Sequence, residues 1–125
     1  MVDSSYTESN YALSLDNKNI HIENSSKKLN DIIKNVANKQ NIKYFEGTTL
    51  CNECFDPYIK DITISGCEME AFALFYNAKR EGKHASCLLN VVDSLTDKKS
   101  LSSDERQNGL NTMIKLALDS ALEIQ

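Results

Sequence analysis

Gly66-Cys67-Glu68-Met69-Glu70-Ala71 gathers two carboxylates and a thioether where a strand closes and a helix opens. Two further charged groups lie downstream. Asp93 ends the apolar run Leu88 to Val92, and Arg106 follows thirteen residues later, inside Asp104-Glu105-Arg106-Gln107. A carboxylate closing a buried strand stands at the carboxyl edge of a sheet, where α/β folds place their ligands. Arg106 reads as sitting in the first turn of a long amphipathic helix, where the helix dipole disfavours a cation. A carboxylate partner would hold it there, and Asp93 is the economical one. Each feature alone also has an ordinary structural explanation. Acids collect at helix N-termini for dipole reasons, and strand-end aspartates cap turns or pair with cations.

The elements that must position these residues are read from periodicity. Residues 1–10 are rich in Ser, Thr and Glu and read as a loosely ordered start or an edge strand. Tyr11 to Leu15 alternates apolar and polar positions, and Asp16 to Asn19 turns it into Ile20-His21-Ile22, which is a hairpin pattern. Ser25 or Ser26 caps a helix with apolar residues at Leu29, Ile32, Ile33, Val36 and Ala37. A strand is expected from Asn41 to about Leu50, another from Ile62 to Cys67, and a helix from Glu70 to Gly82. Ser86 to Val92 is apolar enough for a strand covered on both faces. Ser102 and Glu105 form a capping box that starts the last helix, whose stripe is Leu110, Met113, Ile114, Ala117, Leu118, Ala121 and Leu122. The alternation implies an α/β fold with a mixed, largely parallel sheet flanked by helices, in a single domain over residues 1–125.

Composition narrows the function classes. With 125 residues, 41% of them hydrophobic and 26% charged, the chain fits one soluble globular domain. A net charge of −4 leaves no basic footprint for nucleic acid. No apolar run approaches the roughly 20 residues a membrane helix needs, and the first residues do not read as a signal peptide. A cytoplasmic location is the expectation. Cys51-Asn52-Glu53-Cys54 has the spacing of a zinc half-site or a redox dithiol. Cys67 and Cys87 stand singly, and His21 and His84 have no paired spacing, so no metal site is expected and the thiols read as small hydrophobes.

The order and spacing of Gly66 to Ala71, Asp93 and Asp104 to Gln107 resemble the C-terminal half of the hexameric, bacterial-type purine nucleoside phosphorylases. The resemblance runs from about Thr7 to the end and covers about half of that family's subunit. It implies that the chain is a partial domain without the N-terminal, phosphate-binding half. It also implies glycosyl transfer from a purine nucleoside to phosphate, with phosphate as co-substrate and no cofactor. Asp93 would donate a proton to the purine N7 as the glycosidic bond breaks, assisted by Arg106. An unperturbed aspartate, with pKa about 3.9, is a poor proton donor at neutral pH. The site would therefore raise that value by desolvation, or pass the proton through coupled hydrogen bonds.

By the same resemblance Glu70 takes the ribose 2′- and 3′-hydroxyls, Met69 packs on the sugar with Glu68 nearby, and Phe55 stacks on the base. Base stacking is worth on the order of 1–3 kcal/mol. Val92 stands where the family has a small hydroxyl residue, and Ser94 where it commonly has histidine. Glycines at 47, 66, 82 and 109 form no phosphate-binding loop, and Arg80 is the only other arginine. The resemblance further implies a homo-oligomer, or association with a missing N-terminal half. Two alternatives stand beside phosphorolysis: a hydrolytic nucleosidase relative, and a non-catalytic truncated homologue that binds a purine, a nucleoside or a partner protein.

Overall fold

The computed structural model describes residues 1–53, 63–94 and 97–124. Its main sheet has four strands: β1 (Val2–Tyr6), β2 (Ile22–Asn24), β3 (Gly47–Cys51) and β4 (Gly66–Glu68), in the order β2-β1-β3-β4. β1 is antiparallel to β2, whereas β1–β3 and β3–β4 are parallel. The sheet is therefore mixed and mostly parallel, with helices against it, in agreement with the expected class. β1 is central rather than a loose start or an edge. Its sequence hides this because the strand is polar: Ser5 is 0% exposed, and Ser4 bonds Thr48 across to β3 at 2.7 Å. Hydroxyl pairing does what an apolar pattern would otherwise signal.

Helix α1 (Tyr11–Asp16) replaces the first arm of the expected hairpin. Two turns of helix are too short for periodicity to distinguish from a strand. Asn17, left-handed at φ 55°, ends it: its N–H donates to the Leu13 carbonyl and that of Lys18 to the Ala12 carbonyl. Asparagine tolerates that conformation, and the helix swings Ala12 and Tyr11 onto the core. The strand expected from Asn41 starts only at Gly47, because Asn41, at φ 54°, turns the chain out of the preceding helix. A Cβ at Gly47 would lie 2.7 Å from Ser65 Cβ, so this close approach of β3 to the segment before β4 needs glycine. The strand expected from Ile62 is only three residues long within the described region, and Ile62 lies outside it.

Helix α3 (Ala71–Arg80) packs on β1, β2 and β3 through Phe72, Phe75 and Tyr76 at helical spacing. Phe72 stacks on Tyr76 with ring centroids 6.0 Å apart, and Tyr11 meets both edge-on. Tyr76 Oη and Arg80 Nε both donate to the Asp16 carboxylate, at 2.8 and 3.0 Å, which ties α1 to α3. The Tyr76 hydroxyl, and then Arg80, hold the Asp16 carboxyl below its ordinary range. Lys79 pairs in the same way with the buried Glu23 of β2.

On the other side of the fold, α2 (Lys27–Lys39) starts at Ser26, whose hydroxyl accepts from Leu29 N. It packs through Val36 and Ala37 on Leu116 of α5 (Asn111–Leu122). The expected last helix is thus two, with α4 (Ser103–Asn108) ending at Gly109. The predicted α5 stripe is not its buried face, which is Leu116 and Ser120. Leu118 is 64% exposed, and the stripe lines an open apolar groove of about 400 Å³ opposite Leu29, Ile32 and Ile33.

The strand expected over Ser86 to Val92 does not form either. Cys87 makes one bridge to Val2, with Val2 N donating to Cys87 O at 3.0 Å, and Val91 is 73% exposed. Among the described residues no strand lies beside 88–92 to complete a ladder; Leu88 still packs on Val36, Ala37 and Leu116, whereas Leu89 and Val91 are left exposed. Chain 93–100 instead folds back on itself as the short antiparallel pair β5 (Asp93–Ser94) and β6 (Lys99–Ser100).

Phe72→Ala is expected to destabilise the chain by about 3–5 kcal/mol, the range for emptying a fully buried aromatic site. Leu118→Ala should stay within about 0.5 kcal/mol, as exposed substitutions do. Urea unfolding of the two variants beside the parent measures both.

Candidate functional site

Two clusters carry the residues singled out in the sequence, and separate elements position them. The first is the turn from β4 into α3. Glu68 ends β4, and its side chain returns to the protein rather than to solvent. Its Oε1 accepts from Ser5 Oγ of β1 at 3.1 Å and from Thr49 Oγ1 of β3 at 2.8 Å. Its Oε2 accepts from the backbone N–H groups of Glu70 and Ala71, at 2.7 and 2.6 Å, and so caps α3. A carboxylate at a helix N-terminus is favoured by both the orphan amides and the dipole. Glu70 itself is exposed, as is Met69, and Met69 N donates to Glu70 Oε2 at 3.2 Å. Chemically, the turn presents one accessible carboxylate beside an apolar thioether, suited to accept hydrogen bonds from hydroxyls on a partly apolar ring.

The second cluster is the β5–β6 hairpin and α4. Arg106 Nη2 donates to Asp93 Oδ1 at 2.9 Å, so the expected pair is present. The same guanidinium donates to Ser100 Oγ and, through Nε, to the Leu101 carbonyl, each at 2.9 Å. The expected reason for the pair does not hold: α4 is six residues long and Arg106 falls in its last turn, where the dipole favours a cation. The capping box is complete: Glu105 N donates to Ser102 Oγ, and Ser102 N donates to Glu105 Oε2 at 2.8 Å. The Ser102 amide, and then its hydroxyl, lower the Glu105 pKa from 4.5.

Asp93 does not close a buried strand. It begins a two-residue one, with its side chain 48% exposed and that of Arg106 45% exposed. Among the described residues no strand pairs with 88–92 to bury the end of that segment.

Phe55 and Cys54 lie outside the described residues. Cys51 is buried at the end of β3, and burial pushes its thiol up. Burial also pushes the Cys87 thiol up to about 11. Protonated thiols are poor ligands and nucleophiles. Among the described residues no three His, Cys, Asp or Glu side chains converge as a metal site. Arg80 is engaged with Asp16. Sequence reasoning missed Ser5 and Thr49 as partners of Glu68, and a serine and a threonine in polar strands give no signal of it.

No family model matches the chain. Among curated proteins it is 44% identical over 68 residues to a purine nucleoside phosphorylase DeoD-type of Psychromonas ingrahamii, covering 54% of this chain and 28% of the relative. The same-named protein of Mycoplasma pneumoniae is 31% identical over 107 residues, covering 80% of this chain and 45% of the relative. That of Shewanella loihica is 33% identical over 103 residues, 77% and 43% respectively. The chain belongs to the nucleoside phosphorylase superfamily. It corresponds to a C-terminal region of these phosphorylases and spans less than half the length of the relatives it matches. Among the described residues no helix is long and apolar enough to cross a membrane.

The capping box gives a pH dependence with a definite sign. Glu105 has a depressed pKa, so its contribution to α4 is complete above its unfolded value of 4.5 and is lost as pH falls through the lower folded value. Amide resonances of residues 102–106 should shift and lose hydrogen-exchange protection on that acid limb. Ser102→Ala should produce the same fraying at neutral pH, while the α3 amides stay unchanged.

Proposed function

We propose that the chain is the base- and sugar-binding part of a purine nucleoside phosphorylase, acting in purine salvage in the cytoplasm. The overall reaction moves the ribosyl group from a purine to phosphate, giving the free base and ribose 1-phosphate. Asp93 supplies a proton to N7 of the departing purine, and Arg106 holds and polarises it. Glu70 accepts hydrogen bonds from the ribose 2′- and 3′-hydroxyls. These tighten as the sugar gains oxocarbenium character, which is how a binding contact lowers a barrier. Met69 packs on the sugar and Phe55 stacks on the base. The observation that most supports this reading is the 2.9 Å contact between Arg106 of α4 and the half-exposed Asp93 carboxylate of β5.

The phosphate side needs other residues. Both arginines already face carboxylates, Arg80 with Asp16 and Arg106 with Asp93. A nucleophile must be held in line with the glycosidic carbon, and positioning of that kind removes several kcal/mol of barrier, roughly 7–11 at the upper end. We place the rest of the family's fold on the apolar groove between α2 and α5 and on the 88–92 segment. The relatives are more than twice as long as the matched region, and both places expose apolar side chains, Ile114 and Leu118 at the groove and Leu89 and Val91 in the segment. The engaged arginines also favour a second reading for the chain alone, a binder of purine or nucleoside without turnover.

One experiment separates these readings: phosphorolysis of inosine and adenosine by the purified chain, alongside calorimetric titration with base and nucleoside. The chain alone should bind weakly and turn nothing over. Turnover should appear when the remaining N-terminal segment of the Mycoplasma pneumoniae relative is supplied, and disappear in Asp93→Ala. Robust turnover by the chain alone would overturn the assignment of phosphate binding to another segment.

A further inference from the structure

Glu68 and Glu70 sit two residues apart in one motif, but only one of them has oxygen capacity to spare. An ionised carboxylate offers about four acceptor sites. All four on Glu68 are taken: two by hydroxyls from β1 and β3, and two by amides at the start of α3. Ser5 is 0% exposed and Thr49 5% exposed, so their hydroxyls have no water to turn to. Leaving such groups unpaired costs about 1–3 kcal/mol each. Withdrawing Glu68 toward a ligand would uncap the helix. It would also leave these two hydroxyls with only their mutual contact, Thr49 Oγ1 to Ser5 Oγ at 3.2 Å, so the Ser5 proton would lose its acceptor. Glu70, by contrast, is exposed, and among the described residues its carboxylate accepts one bond, from the adjacent Met69 amide.

Resting on the nucleoside reading above, we propose that Glu68 is a positioning residue: its fully committed carboxylate fixes the Met69-Glu70 turn, and Glu70 alone of the pair binds the sugar hydroxyls. The path is short and continuous. Ser5 and Thr49 set one oxygen of Glu68 over the strands, and Ser5 and Thr49 are themselves neighbours in register across β1 and β3. Glu68 is paired with Cys51 in the β3–β4 ladder, which fixes its backbone. The other oxygen then holds the amides of Glu70 and Ala71, so the Glu70 Cα and the first turn of α3 are located relative to the sheet. A sugar diol placed against Glu70 is thereby placed against the whole sheet edge.

The consequence is a separation of effects that a purely structural role would not produce. Losing the Glu68 charge should weaken the nucleoside, which needs Glu70 in place, and spare the free base, which does not. The test takes the full chain, Glu68→Gln, the milder Thr49→Val and Glu70→Gln. Amide spectra and hydrogen exchange are recorded first, without ligand, and affinities for inosine and hypoxanthine afterwards.

In Glu68→Gln the Glu70 and Ala71 amide protons should move upfield and exchange faster. Inosine affinity should fall by about tenfold, the scale of losing a charge-assisted bond, with hypoxanthine affinity unchanged. Thr49→Val should do the same to a smaller degree, which keeps the test alive if Glu68→Gln folds poorly. Glu70→Gln should lose inosine affinity without moving the Ala71 amide. Equal losses for inosine and hypoxanthine in Glu68→Gln, or unchanged amides, would overturn the proposal. If the parent chain binds neither ligand, the nucleoside reading fails, and the amide shifts still decide whether Glu68 holds the turn.

Discussion

The fold is organised around a carboxylate that never leaves the protein. Glu68 joins three strands and a helix with four hydrogen bonds, two from buried hydroxyls whose mutual contact is a single 3.2 Å bond and two from orphan helix amides. Much of the sheet's polarity follows from it. Ser5 and Thr49 can sit inside the fold because an acceptor is waiting, and α3 can begin abruptly after β4 because its cap is already there. The aromatic layer of Phe72, Phe75 and Tyr76 then falls onto the sheet with a fixed starting point. A hydrophobic core sets the magnitude of stability, but this interaction sets the register of helix on sheet.

The second cluster is built by different means. Arg106 is pinned by Asp93, Ser100 and Leu101, all at the surface, and α4 contributes no buried residue. Exposed ion pairs are individually weak, with a median near 0–1 kcal/mol. The geometry of this cluster therefore depends on the capping box and the short hairpin more than on packing. Glu70 thus follows the edge strand of the sheet, whereas Asp93 lies on a lightly held strand pair. The 88–92 segment that leads into Asp93 has the apolar pattern of a strand in a larger sheet. In a family whose members are more than twice as long as this match, that mismatch between sequence pattern and surroundings has a direct physical reason.

Much of this was legible beforehand where the signal is local. Ser26 and the Ser102–Glu105 box were readable as caps because capping is a short-range hydrogen-bond pattern. The Arg106–Asp93 pair is present, but the dipole argument for it fails, because α4 stops at Asn108 and Arg106 falls in its last turn. Long-range effects hid the rest. The hydroxyl-lined β1 was misread as peripheral since its acceptors lie far along the chain, at Thr48 and Glu68. α1 was misread because an alternating run of five residues fits either period. The α5 stripe and the 86–92 run were read as buried because the pattern reports what a segment can cover, not whether a covering element is present. Phe55 lies outside the described residues, so the aromatic side of the site rests on the resemblance alone.

The central claim is that Glu70 and Asp93, held by unrelated devices, address the two ends of one nucleoside. A crystal structure of the chain soaked with inosine tests it most directly. The account predicts sugar hydroxyls within hydrogen-bonding distance of Glu70 Oε atoms, the purine N7 edge toward Asp93, and Glu68 still bonded to Ser5, Thr49 and the α3 amides. An inosine seated in the α2–α5 groove, or one whose sugar is held by Glu68, would contradict it.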